Sequence, residues 1–150
     1  MITVLLADDH VMVRDGLRYL LEAAGDIEIV ALANSGKDAV TKAIAYNPNT
    51  AILDISMPDL DGIEATKQIL AYCPNTRVLL LSMHHTAEYV QRALEVGAFG
   101  YVLKDEAGYD LLLAVRTLYK GRRYFSKKIA GMAKVLLAES KNLLSKATDE

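Results

Sequence analysis

One cysteine, Cys73, stands in the 150 residues, which excludes an internal disulfide and fits a reducing compartment. No apolar run approaches the roughly 20 residues that a membrane span needs. The opening Met-Ile-Thr-Val-Leu-Leu-Ala has no basic lead, and its apolar run is too short for a signal peptide. The expectation is a cytoplasmic protein with no membrane contact. Charge of one sign is not in excess either: 17 Lys and Arg against 19 Asp and Glu leave a formal net charge of -2, so the chain by itself offers no basic patch to nucleic acid. Repeats and low-complexity tracts are missing. The three histidines, His10, His84 and His85, show no fixed ligand spacing and read as exposed loop residues, not metal ligands. What remains is ordinary globular composition, in a chain long enough to bury one core.

Apolar runs alternate with amphipathic stretches five times. Residues 2–7 form a continuous apolar run, as in a strand covered on both faces. Val13, Leu17, Leu20, Leu21 and Ala24 then recur at helical spacing up to the stop at Gly25. A strand over 27–33 precedes a helix over 36–46, capped by Asn34 or Ser35 and followed by Pro48. The third strand, 51–55, leads through Met57-Pro58 to a helix for which Asp61 and Glu64 form a capping pair. Strand 78–81, a helix from Thr86 to Gly97, strand 99–103 and a helix over 108–120 complete the series. Such alternation predicts an α/β fold, a parallel sheet wrapped by helices with right-handed crossovers.

In such sheets function collects at the carboxyl ends of the strands. There the sequence places Asp8-Asp9, Asp54, Ser82 and Lys104. Singly, each has a plain reading: a turn pair, a loop acid, a solvated lysine. Together, at successive strand ends, they form a site. Two carboxylates about 5 Å apart repel by roughly 3 kcal/mol at an effective dielectric of 20, so three require raised pKa values or a cation. Hard oxygen ligands select Mg2+ or Mn2+ over zinc, and such an ion would bridge to phosphate oxygens. A carboxylate can accept a phosphoryl group as an acyl phosphate, with the ion and Lys104 supplying charge stabilisation and the Ser82 hydroxyl a hydrogen bond.

Asp8-Asp9, Asp54 followed by Met57-Pro58 and Gly62, Ser82, and the run Gly-Tyr-Val-Leu-Lys104 resemble the receiver domain of two-component response regulators. Ala-Asp-Asp-His-Val-Met-Val-Arg, Ser-Met-His-His and Gly-Ala-Phe-Gly-Tyr-Val-Leu-Lys-Asp look like its NarL/FixJ (LuxR-type) branch. The match spans residues 2 to about 120. It implies a flavodoxin-like (βα)5 sheet of order 2-1-3-4-5, with Asp54 phosphorylated by a sensor histidine kinase. By the same resemblance Asp8, Asp9, Asp54 and the backbone carbonyl of Ser56 hold Mg2+ (or Mn2+), and Ser82 and Lys104 read the phosphate. Ser82 and Tyr101 form the switch, the ring turning inward as Ser82 moves, and Ser56 and His84 occupy positions that tune phosphate lifetime. Phosphorylation adds about 1.5 to 2 negative charges, enough to drive a two-state repacking. Ser82 replaces the commoner threonine, and Asp105 follows Lys104 where many receivers have proline.

Three other readings fail on particular residues. A haloacid-dehalogenase-type phosphatase would want a second acid two residues after Asp54, where Ser56 stands. A flavin module would want a phosphate loop after strand one, where Asp8-Asp9 would repel phosphate. A scaffold-only pseudo-receiver would lack an acceptor residue, and none is missing. The expectation is thus a phosphoryl acceptor, not an enzyme beyond slow autodephosphorylation.

Past Gly121, Ile129, Ala133, Leu136, Leu137, Leu143 and Leu144 mark one face of a further helix opened by Ser126. That stripe either packs on the domain or forms a linker leading elsewhere. The expected division is a receiver over 1–121 and a C-terminal linker helix over 122–150. In the NarL/FixJ branch a helix-turn-helix DNA-binding domain normally follows, which favours a longer natural protein that regulates transcription, with DNA contacted only through that further domain. A phosphorylation-dependent homodimer is plausible by the same resemblance.

Overall fold

A computed structural model describes the backbone of residues 1–149 and the side chains of residues 1–140. Six parallel strands form one sheet in the order β2-β1-β3-β4-β5-β6. They are β1 (Ile2–Ala7), β2 (Ile27–Ala33), β3 (Thr50–Asp54), β4 (Arg77–Ser82), β5 (Gly100–Leu103) and β6 (Tyr124–Phe125). The helices are α1 (Val11–Glu22), α2 (Gly36–Tyr46), α3 (Gly62–Tyr72), α4 (Ala87–Glu95), α5 (Ala107–Tyr119) and α6 (Lys127–Asp149), with a short 3-10 turn at Lys104–Glu106. The first five strands and five helices fall where hydrophobic periodicity puts them. The sixth strand is an addition to the expected order.

Alternation along the strands sends side chains to opposite faces of the sheet. Leu5, Leu53, Leu80, Tyr101 and Leu103 pack on one face with residues of α2, α3, α4 and α6. Val4, Leu6, Ile52, Leu79, Leu81 and Val102 pack on the other with α1 and α5. Both faces are covered, which is why the strands read as unbroken apolar runs.

Local chemistry fixes the loops around the strand ends. Ser35 Oγ accepts a hydrogen bond from the Asp38 amide and Asp61 Oδ1 one from the Glu64 amide, so α2 and α3 begin where their caps stand. Asp59, at φ 62°, has its carboxylate on the Lys37 amide, tying the loop after β3 to α2. Gly62 opens α3 directly against β3. A Cβ there would collide with the Asp54 carbonyl and stand 2.8 Å from Ile55 Cα, so only glycine lets α3 approach the strand that carries Asp54.

The C-terminal extension packs on the domain. β6 pairs with β5, Gly100 to Tyr124 and Tyr101 to Phe125. Ser126 is fully buried: its amide donates to the Tyr101 carbonyl, and its hydroxyl accepts from the Leu103 amide and donates to Asp110. Ile129 and Ala133 reach the core beside Val90 and Ala93, and Leu136 packs against it half-buried. Leu143 and Leu144 lie outside the described side chains.

Candidate phosphoryl-acceptor site

Parallel register aligns the carboxyl ends of β1, β3, β4 and β5 along one edge. Ala7 pairs with Leu53 and Asp54 with Leu81, so Asp8, Asp54 and Ser82 follow at neighbouring positions. Lys104 arrives from the far side of β4, at the first residue after β5. Its ammonium lies 2.6 Å from Asp54 Oδ2 and 3.1 Å from Asp8 Oδ2. Asp8 and Asp54 are buried, and the lysine side chain is nearly so.

The charges in this pocket do not balance. Asp8 and Asp54 share the Lys104 ammonium and Asp9 lies beside them on His10 Nδ1, so three formal negative charges stand against one ammonium. Burial pushes the Asp54 carboxyl above the ordinary carboxylate range; the Lys104 ammonium pulls the other way and the Asp8 charge adds to the rise. Burial also disfavours the Lys104 ammonium, but Asp54 and Asp8 outweigh it and hold the lysine above its usual value. Asp8 Oδ2, for all its closeness to Lys104, makes no hydrogen bond of acceptable geometry. A buried carboxylate oxygen with an open lone pair beside two further acids suits a hard divalent cation. Ligand atoms of Asp8, Asp9, His10 and Asp54 all lie within 4.8 Å of one another.

The response regulator receiver domain family matches residues 4–116. This chain belongs to that family. Oxygen regulatory protein NreC of Staphylococcus aureus is 36% identical over 127 residues, which cover 84% of this chain and 58% of that protein. The chain thus spans somewhat over half the length of the curated relatives it matches. Among solved structures, a LuxR-family two-component response regulator from Aurantimonas sp. is 32% identical with a TM-score of 0.83, covering 93% of this chain and 96% of its own. The signal receiver domain of NarL from Mycobacterium tuberculosis is 36% identical with a TM-score of 0.77, covering 81% and 98%. The protein is therefore a receiver of NarL/LuxR type, a phosphoryl-accepting signalling switch. No helix among its described residues is long and apolar enough to cross a membrane.

Other anticipated residues of the receiver take the following places. The Ser56 amide donates to Asp54 Oδ1 at 3.2 Å. Ser82 is buried, and its hydroxyl accepts from the His84 amide at 2.9 Å. Tyr101 is already inward: its ring is buried and its hydroxyl donates to the His84 carbonyl at 2.7 Å. Ser82 and Tyr101 thus meet at one residue, His84, through its backbone. The His84 ring stacks on Tyr89 at 3.9 Å between centroids, which makes this histidine half-buried where an exposed loop residue was expected. The Lys104–Asp105 peptide is trans.

Two residues near the site escape a reading of the sequence. Arg14 spans the Asp8 and Ala33 carbonyls from α1, at 3.5 and 3.4 Å. His10 is exposed, as expected of a loop residue, but its Nδ1 lies 3.2 Å from Asp8 Oδ1 and 3.3 Å from Asp9 Oδ1. Its place directly after the acid pair was the available signal. Its ring direction, which the fold alone sets, was not.

Proposed function

We propose that Asp54 accepts a phosphoryl group from the phosphohistidine of a sensor kinase, a bond forming from its carboxylate oxygen to phosphorus as the phosphorus–nitrogen bond breaks. One observation carries this reading: the Asp54 carboxylate at the carboxyl edge of the sheet, 2.6 Å from the Lys104 ammonium and facing a second buried acid. Asp8, Asp9, Asp54 and the Ser56 carbonyl would hold Mg2+, whose charge offsets the acids and the arriving phosphate. Lys104 stays as a cation at working pH and bonds a phosphate oxygen. Ser82 presents a hydroxyl to another. The chain's own contribution is position and charge, which is what phosphoryl transfer demands.

Output follows from the contacts of His84. If Ser82 turns to the phosphate it gives up the His84 amide, and the backbone that holds the Tyr101 hydroxyl is disturbed. Tyr101 and Ser82 are in this reading the switch pair, with Ser56 and His84 as the residues that set phosphate lifetime. The domain is a switch and not a turnover enzyme, losing phosphate only by slow autodephosphorylation. Residues 1–121 act as the receiver, and residues 122–150 lead from it toward a DNA-binding domain through which a cytoplasmic, phosphorylation-dependent dimer controls transcription.

Acetyl phosphate with Mg2+ tests the acceptor. A phosphoryl adduct on intact protein, mapped to Asp54 and lost in Asp54→Asn, is the expected result. Unchanged mass of the wild-type chain would overturn the assignment.

A further inference from the structure

The residue that opens α6 uses its side chain elsewhere. Ser126 stands directly before Lys127, where a capping hydroxyl normally accepts an amide of the first turn. Here the Ile129 amide goes to the Ser126 carbonyl, and the fully buried hydroxyl turns to the body of the domain. It accepts from the Leu103 amide at 2.9 Å and donates to Asp110 Oδ2 at 3.1 Å. The Ser126 amide donates to the Tyr101 carbonyl at 3.0 Å. One residue thus grips β5 on both sides of Val102 and reaches the first turn of α5 as well.

The two bonds of the hydroxyl bracket the segment that carries Lys104. Leu103 is the last residue of β5, Lys104–Glu106 form the 3-10 turn, and Asp110 follows within α5. On its inner side Leu103 is held by β4, opposite Ser82. On its outer side the pairing with β6 ends at Tyr101 and Phe125. The Ser126 hydroxyl therefore stands where a strand carbonyl would otherwise take the Leu103 amide. Lysine has a long stem with several free torsions. Its 2.6 Å approach to Asp54 Oδ2 and 3.1 Å approach to Asp8 Oδ2 depend on where the backbone starts it. Tyr124 stiffens the same knot by donating to Asp110 Oδ1.

Resting on the reading of Lys104 as the group that bonds a phosphate oxygen, we propose that Ser126 is a positioning residue for that lysine. The segment from Tyr124 into α6 then belongs to the phosphoryl switch, and the working boundary of the receiver lies beyond residue 121. The coupling is reciprocal by linkage. A phosphoryl group that draws Lys104 into place favours the docked C-terminal segment, and the docked segment favours the phosphoryl group.

Beryllofluoride, a phosphoryl mimic, is the probe, bound to the 150-residue chain with Mg2+ and followed by the 19F resonance of the bound species. Ser126→Ala should weaken the apparent affinity by roughly tenfold, within the range that a misplacement of about 1 Å can produce. Lys104→Gln should weaken it at least as much. Adding Ser126→Ala to Lys104→Gln should then change affinity by less than about twofold, because a residue that acts through the lysine has nothing left to act on. Asp110→Ala frees one end of the same segment and should weaken binding by roughly threefold, again only while Lys104 is present. It serves as the test should Ser126→Ala fail to fold. Unchanged affinity in folded Ser126→Ala, or the same factor lost with and without Lys104, overturns the positioning role and leaves Asp54 as the acceptor. Absence of binding by wild type overturns the acceptor reading itself.

Discussion

Tyr124 shows how one side chain couples the C-terminal extension to the domain. Its hydroxyl donates to Asp110 Oδ1 at 2.9 Å, and Ser126 holds the other oxygen of that carboxylate. Burial, and then the Asp110 charge, push the Tyr124 phenol up to about 12 from an ordinary 10.0. A folded pKa above the unfolded one means the folded state keeps its proton longer. The stability this bond contributes is therefore complete below pH 10 and is lost as pH rises through 12. Tyr124→Phe should lower stability at neutral pH and flatten the loss between those limits, read by urea unfolding across the alkaline range. An equally steep alkaline loss in the variant would show that other groups cause it. Polarity at position 124 is visible in the sequence; the partner 14 residues away on α5 is not.

At the scale of elements, α6 is the part of the molecule whose role the sequence left open between packing on the domain and leading away from it. Its first turns pack. Ile129 and Ala133 are fully buried in the same cluster as Tyr101, so α6 completes the core on the face where the Tyr101 ring sits. Ile129→Ala removes methylene and methyl groups from a filled site and should cost about 2–5 kcal/mol, the usual range for such truncations. Chemical denaturation checks this, and a cost under about 0.5 kcal/mol would mean that α6 is not held there in solution. β6 was illegible for a simple reason: two residues are too few to show a period of two. By contrast the starts of α2 and α3 were legible, the first to within the choice of Asn34 or Ser35 that the structure decides for Ser35, because a cap acts only on amides two or three positions away.

Across the whole molecule, the unbalanced pocket links metal to stability. A divalent ion that binds the folded chain and not the unfolded one stabilises it by mass action, about 2.7 kcal/mol at a hundredfold excess over its dissociation constant. For a chain of this length that is a rise in Tm of roughly 5–10 °C. Scanning calorimetry with and without Mg2+ measures it, and Asp9→Asn should remove most of the shift. An unchanged wild-type Tm at saturating Mg2+ would contradict the charge count of the pocket. The same global view explains why the pocket exists at all. Residues from 8 to 104 meet only because parallel register brings four strand ends into line, and no local rule contains that information.

The sequence by itself determined the alternation of strands and helices, the caps, and the chemical types at the strand ends, since each depends on residues within a turn or a strand of one another. It also named the acid pair, Asp54, Ser82 and Lys104, because their types are meaningful at strand ends before any distance is known. Tertiary structure alone decided that Lys104 sits between Asp54 and Asp8, that Tyr101 lies inward on the His84 carbonyl, and that His10 Nδ1 comes within reach of Asp8 at the pocket's rim. Those outcomes depend on side-chain directions across the sheet edge, where packing and charge choose among rotamers that the order of residues leaves equally available.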